Sequence, residues 1–393
     1  MKVQDFTYLA TEFARNFGEK DLCFFSAPGR TEVCGNHTDH QQGRVLAAAV
    51  NLDARAATAP NDENICRIIS GNYSPVVVDL SDLSPREDEK NSSNGLVRGI
   101  AEYFVKNGRK IGGFDAVSEN LVMGGSGLSS SAAFEVLVAT IFGRLYGEVS
   151  PEFCAMAGQY AENVHFGKPC GLMDQMVSAV GGFVTIDFRD PENPSVRQLN
   201  VDFKSYGHSL CIISTGGSHD NLTEEYAAIP REMCAVAALL GVEKLGYADE
   251  RKFYAELPSI RRKSSDRAVL RAMHFFSDNR RVALETEALE NGNFDEFLHL
   301  VRESGRSSRE LLQNIVPTGA VENQPVALAL ACCERLLAGR GACRVHGGGF
   351  AGTIQAFVPN TAVSAFIAEM EKFTGAGSCQ LLQIRAEGGV EIA

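Results

Sequence analysis

The segment Met123-Gly-Gly-Ser-Gly-Leu-Ser-Ser-Ser-Ala-Ala133 gathers glycines and four serine hydroxyls at one point of the chain. It lies between an alternating run, Phe114 to Val122, and a long apolar run that reaches Leu145. A strand that hands over to a helix here would present free backbone N–H groups and the positive end of a helix dipole to an anion. Glycine lets the backbone approach a ligand closely, and successive N–H groups can form a concave nest. The implied ligand is a nucleotide phosphate. A flexible Gly/Ser linker would lack flanking periodic structure. Here Ala132, Ala133, Val136, Leu137, Thr140, Ile141 and Leu145 recur at helical spacing, and Gly147 suits a C-cap. No Gly-Lys-Ser/Thr ending follows, which excludes a P-loop. Gly125-x-Gly127-x-x-Ser130 lacks the third glycine of a dinucleotide fingerprint.

Upstream, Ala27-Pro-Gly-Arg30-Thr-Glu-Val-Cys-Gly-Asn36-His37-Thr-Asp39-His40 packs polar groups densely between two apolar stretches. Such groups are costly to bury unless they meet ligands or one another. Asn36, His37 and Asp39 offer donors and acceptors suited to the hydroxyls of a sugar, and Arg30 offers a fixed positive charge. A metal site on His37, Asp39 and His40, or a purely structural polar loop, are the alternatives. Downstream, Glu162 ends a helical run, and Asp174 sits beside Gln175 in a nearly uncharged segment. Either carboxylate could act as a base or hold Mg²⁺ together with phosphate oxygens. The last segment, His346-Gly-Gly-Gly-Phe-Ala-Gly-Thr353, permits close backbone approach or positive φ, and a tight hairpin would explain it equally well.

The elements that must position these groups can be read coarsely. Met1 to Gly18 reads as an amphipathic helix, and Leu22 to Phe25 as a short buried strand. A polar loop is expected from Ser26 to Gly43, then an apolar run from Arg44 to Val50. Leu96 to Lys106 suits a helix, Gly182 to Phe188 a strand, and Asp190-Pro-Glu-Asn-Pro194 a turn. Ser209 to Ser214 reads as another strand, Thr223 to Arg280 as mainly helical, and Val326 to Leu337 as a helix. This mixed order, without regular βαβα alternation, favours α+β.

At 393 residues the chain exceeds one ordinary core, so two domains are expected, with a boundary near residue 200. A net charge of −12 disfavours nucleic acid and anionic membranes as partners. The eleven cysteines are scattered without Cys-x-x-Cys spacing, as expected of reduced thiols in a cytoplasmic protein. No signal-type h-region and no uninterrupted 18-residue apolar run occurs.

Taken in order, the segments resemble the signatures of the GHMP small-molecule kinases, and among these the galactokinase family. Gly-Asn36-His37-Thr-Asp39-His40 is similar to that family's usual Gly-Glu-His-Thr-Asp-Tyr. GGSGLSSSAA resembles its phosphate loop, CGLMDQ its catalytic-aspartate segment, and HGGGFAGT its third motif. The resemblance runs from about residue 20 to about residue 360. It implies a two-domain α+β GHMP kinase fold: an N-terminal domain over 1–200, a ferredoxin-like C-terminal domain over 201–393, and an active site in the cleft between them. It implies ATP-dependent phosphorylation of the anomeric 1-hydroxyl of galactose, with ATP and Mg²⁺ as cofactors, a small-molecule sugar as the partner, and a monomer.

By position, Asp174 matches the catalytic aspartate and Arg30 the arginine paired with it. Ser131 and Glu162 match the magnesium ligands. Gly124, Gly125, Ser126, Gly127, Leu128, Ser129 and Ser130 match the cradle of the ATP phosphates. Asn36, His37, Asp39, Gly171 and Tyr226 match sugar-contacting positions. Asn36 and His40 depart from the usual Glu and Tyr, and the chain contains no Trp. The alternatives are a kinase of another sugar, such as N-acetylgalactosamine or arabinose, or a catalytically silent sugar sensor. The decarboxylase branch of the superfamily is disfavoured by the polyhydroxyl-binding set around His37 and Asp39.

Overall fold

The structure, a computed structural model, describes residues 6–71, 73–122, 127–168, 170–217 and 222–392. Helix α1 (Thr7–Phe17) buries Leu9 and Phe13, and two long strands follow, β1 (Cys23–Cys34) and β2 (Arg44–Pro60). The polar loop expected from Ser26 is therefore strand as far as Cys34. Polarity suggested a loop because a lone strand could not bury Arg30 and Glu32. Here Asp174 and Arg344, from distant parts of the chain, neutralise them. Register shifts at Pro28/Arg30 and Glu32/Cys34 interrupt the β1–β2 ladder, and such bulges bend a strand and re-aim its side chains.

Strands β3 (Ile65–Ile69) and β4 (Val76–Asp79), helix α2 (Ser93–Lys106) and strand β5 (Phe114–Asn120) complete one flank. Helices α3 (Ser130–Tyr146) and α4 (Pro151–Tyr160) follow, then a π-helical turn, Ala161–Phe166, and α5 (Met173–Val180). Strands β6 (Phe183–Asp187) and β7 (Ser195–Leu199) close this part. The first sheet has the order β1-β2-β5-β3-β4, with β6 also on β2 and β7 on β6; among the described residues only β3–β5 is parallel. Its core joins Ala47 and Val45 of β2 to Val136, Leu137 and Phe142 of α3 and Phe104 of α2. Burying each such large side chain contributes about 1.5–3 kcal/mol.

Strand β8 (His208–Ser214) begins a second sheet. Four helices come next: α6 (Thr223–Leu239), α7 (Glu250–Lys263), α8 (Asp266–Glu290) and α9 (Phe294–Ser307). A π-helical turn, Ser308–Leu312, precedes α10 (Pro325–Leu337), β9 (Ala342–Val345), β10 (Thr353–Pro359), α11 (Val363–Thr374) and β11 (Cys379–Leu382). The sheet order β11-β8-β10-β9, antiparallel throughout, is the ferredoxin-like arrangement. A last strand, β12 (Val390–Ile392), returns to pair with β1 in the first sheet. Phe297 of α9 and Phe357 of β10 belong to the same apolar cluster as the first sheet. Among the described residues no helix is long and apolar enough to cross a membrane.

Candidate functional site

Arg30 leaves β1 just after its first register shift, and its guanidinium meets Asp174 side-on. Nε donates to Oδ1 at 2.8 Å and Nη2 to Oδ2 at 2.6 Å, a fork geometry that fixes both groups. Nη1 donates to the Gly127 carbonyl, and the Arg30 amide donates to the Leu128 carbonyl at 3.0 Å. The strand is thus tied to the end of the phosphate-loop segment. Gly29 permits this approach, because a Cβ there would lie 2.8 Å from the Leu128 carbonyl oxygen.

Asp174 occupies the first turn of α5, where the helix dipole favours a negative charge. Ser129, in the left-handed region at φ 58°, donates its hydroxyl to Asp174 Oδ2. Burial pushes the Asp174 carboxyl up, but Arg30, Ser129 and Lys168 together hold it below its ordinary value. It is therefore ionised at neutral pH. Ser129 was expected to serve phosphate; its hydroxyl is engaged with the carboxylate instead. Of the expected phosphate residues, Gly124, Gly125 and Ser126 lie outside the described residues. Gly127 and Leu128 give their carbonyls to Arg30, and the Ser130 carbonyl accepts from Asn120 Nδ2 at 3.0 Å.

Glu162 is presented by the π-helical turn, a distortion frequent at functional sites. Its Oε1 accepts from Lys168 Nζ at 3.1 Å, and its Oε2 from Gln175 Nε2 at 3.0 Å. Gln175 Nε2 also donates to Glu135 Oε2 at 2.8 Å. Ser131 stands one helical turn before Glu135 on α3 and so shares its face. Burial and the charge of Glu162 push the Glu135 carboxyl well above its ordinary value. Glu135 Oε1 and Gln175 Oε1 are both buried without a hydrogen-bond partner. The Glu162 carboxylate, the Ser131 hydroxyl and the orphaned Gln175 Oε1 are hard oxygen groups that suit a hard cation such as Mg²⁺, with nucleotide phosphates completing the shell. Among the described residues no group of three or more His, Cys, Asp or Glu could hold a metal unaided, so the His37–Asp39–His40 alternative finds no cluster.

Three of the positions expected to contact sugar, Asn36, His37 and Tyr226, converge on the third motif. Asn36 is 1% exposed. Its Nδ2 donates to Glu32 Oε1 and to the Gly347 carbonyl, both at 2.8 Å. Its Oδ1 accepts from Asn314 Nδ2 at 2.7 Å. The Asn36 amide is thus engaged inside the protein, where it had been expected to face a ligand. His37 Nε2 lies 3.0 Å from the Gly348 carbonyl, and burial with His40 nearby lowers its pKa to about 4. Tyr226 Oη donates to the Gly349 carbonyl at 2.8 Å. Asp39 lies against Gly171, where a Cβ would come within 2.5 Å of Oδ2.

The structure gives His346 of the third motif definite partners and brings in residues, on α8 and elsewhere, that the sequence left unassigned. His346 is buried between Thr31 Oγ1 and Thr353 Oγ1, each 3.0 Å from a ring nitrogen. A Cβ on Gly127 would sit 2.8 Å from its Nδ1, so the third motif abuts the phosphate loop. Burial, with Arg30 and Arg344 nearby, keeps this histidine neutral. On α8, His274 Nε2 lies 2.9 Å from the Asn36 carbonyl, and Asp278 Oδ2 accepts the amides of Gly35 and Asn36 at 3.2 and 3.1 Å. Glu135 and Gln175 each carried a local cue, one turn after Ser131 and next to Asp174. Asn314, His274 and Asp278 carried none.

Comparisons with known proteins bear on the family and the fold. Residues 11–60 match the galactokinase galactose-binding signature, and residues 95–182 match the GHMP kinases N terminal domain. The chain is similar to Lactococcus lactis galactokinase, solved in complex with galactose, at TM-score 0.82 and 23% identity over 98% of each chain. It is similar to Methanococcus jannaschii mevalonate kinase at TM-score 0.65 and 13% identity, over 93% of this chain and 99% of that one. It also resembles Streptococcus pneumoniae phosphomevalonate kinase, solved with phosphomevalonate and AMPPNP, at TM-score 0.62 and 13% identity, over 94% and 99% of the two chains. At these identities the solved structures establish the fold alone. The chain has the fold of the GHMP kinases and carries the galactokinase galactose-binding signature and the GHMP kinases N terminal domain.

Proposed function

We propose that this protein transfers the γ-phosphoryl group of ATP to the anomeric 1-hydroxyl of galactose, giving galactose 1-phosphate and ADP. The observation that carries the proposal is the Arg30–Asp174 fork, reinforced by Ser129 beside a helix N-terminus; Arg30 lies in the matched galactose-binding signature, and Asp174 and Ser129 in the matched GHMP kinases N terminal domain. Phosphoryl transfer asks an enzyme mainly for positioning and charge stabilisation. Asp174, held ionised, accepts or orients the proton of the attacking 1-hydroxyl. Arg30 keeps that carboxylate charged and offsets negative charge that builds on the transferred group. The amide end of α3 and the Gly124–Ser130 segment hold the phosphates. Glu162 and Ser131 would hold Mg²⁺, which neutralises charge on the phosphate oxygens when bound. His37, Asp39, Gly171 and Tyr226 surround the sugar.

One observation favours a second reading, a kinase of another sugar. Asn36 carries no charge where the family usually has Glu, and its amide turns into the protein. The test is to incubate the protein with ATP, Mg²⁺ and a panel of sugars, follow ADP release, and locate the phosphate by ³¹P NMR. Galactose 1-phosphate as the dominant product supports the first reading, and another sugar phosphate supports the second. Galactose binding without turnover on any sugar would overturn both in favour of a sensor.

A further inference from the structure

A transferring phosphoryl group needs cations, and the phosphate-loop segment Met123–Ala133 contains neither Lys nor Arg. Arg30 is 7% exposed, and its guanidinium is already engaged by Asp174 and the Gly127 carbonyl. A second cation reaches the same place from another direction. Beyond the π-helical turn, Gly167 at φ 83° turns the chain back, and the Lys168 amide donates to the Glu162 carbonyl at 3.1 Å. This lays the Lys168 side chain over Glu162, with Nζ 3.1 Å from Oε1 and 63% of the side chain exposed. The Lys168 charge also acts on Asp174.

An ordinary exposed ion pair would contribute little to stability. This one has a different character, because Glu162 Oε1 is the oxygen that Gln175 leaves for a cation. Were Glu162 to hold Mg²⁺ with a nucleotide, it would release the Lys168 ammonium, and the four-carbon stem would let Lys168 carry that charge to the phosphate oxygens. We propose that Lys168 is a further catalytic residue: it neutralises Glu162 in the free protein and contacts the nucleotide phosphates once they bind. The inference rests on the kinase reading, but on its nucleotide half only.

The test measures ATP binding by calorimetry in Mg²⁺, without sugar, so that no turnover enters. The proteins are wild type, Lys168→Met, Glu162→Gln and the double variant, with Lys168→Arg as the conservative control. Lys168→Met is expected to weaken ATP binding roughly tenfold or more in both the wild-type and the Glu162→Gln backgrounds, as loss of a charge-assisted contact does. Lys168→Arg should restore most of the affinity, and thermal midpoints should stay level because the side chain is largely exposed. Equal ATP affinity of Glu162→Gln and the double variant would overturn the proposal, since Lys168 would then only screen Glu162. Wild type that binds no ATP would overturn the kinase reading and this inference with it. Wild type that binds ATP but phosphorylates a sugar other than galactose leaves the expected Lys168 effect standing.

Discussion

Asn314 Nδ2 lies 2.7 Å from Asn36 Oδ1, although 278 residues separate the two in sequence. The same nitrogen donates to the Gly348 carbonyl at 3.1 Å, and the Asn314 carbonyl accepts the Phe350 amide. One buried side chain, following the π-helical turn after α9, thereby joins the first motif to the third. The Gly347, Gly348 and Gly349 carbonyls all accept from residues of other elements: Asn36, His37, Asn314 and Tyr226.

Asn314→Ala leaves the buried Asn36 Oδ1 without its closest donor and removes one of two partners of the Gly348 carbonyl. The expected cost is about 1–3 kcal/mol of folding stability. The sugar KM should rise while the ATP KM stays level, because the phosphate loop is held separately by Arg30. Urea denaturation and initial-rate kinetics check both halves; a stable variant with unchanged sugar KM would refute the coupling.

The Arg30–Asp174 pair predicts a pH profile. The folded-state pKa of Asp174 is depressed, so its contribution to stability is present above the unfolded value and is lost as pH falls through the folded one. Wild-type kcat should therefore show no acid limb from Asp174 until the pH drops below the ordinary aspartate range, about 4. Arg30→Met removes the largest lowering influence and leaves burial opposed only by Ser129 and Lys168. The acid limb should then move upward, and kcat should fall by roughly 10²–10³. A pH–rate series on both proteins decides this; identical acid limbs would contradict the assignment.

Glu285, fully buried on α8, has its pKa raised to about 8, chiefly by burial with Asp278 adding to it, against the opposing pull of Arg344. A raised carboxyl contributes stability that is fully present below the unfolded pKa and is lost as pH rises through the folded one. Glu285→Gln should therefore gain on wild type in thermal stability between about pH 5 and pH 8. The difference should level off above pH 8. Thermal midpoints measured across that range provide the check, and a difference independent of pH would show that Glu285 is not the titrating group.

Much of the element order was legible because local periodicity carries it. The helical spacing from Ala132 to Leu145 became α3, the alternation from Phe114 became β5, and Ser209 to Ser214 became most of β8. The stretch from Ser26 to Cys34 was misread as loop, because the charges that make it a viable strand arrive from α5 and β9. Short-range pattern cannot report a partner more than a hundred residues away.

The site divides in the same way. Sequence by itself determined the chemical inventory: Arg30, Asp174 and Glu162 as charged groups in apolar surroundings, serines at the start of a helix, and glycines where backbones must approach. Tertiary structure decided which valences remain open. It aimed Ser129 at Asp174, closed Asn36 on Glu32, Gly347 and Asn314, and joined Glu162 to Glu135 through Gln175. The physical reason is that a hydrogen-bonding group has few directions in which to bond. Which of them face a ligand depends on neighbours that only the folded chain brings within 3 Å.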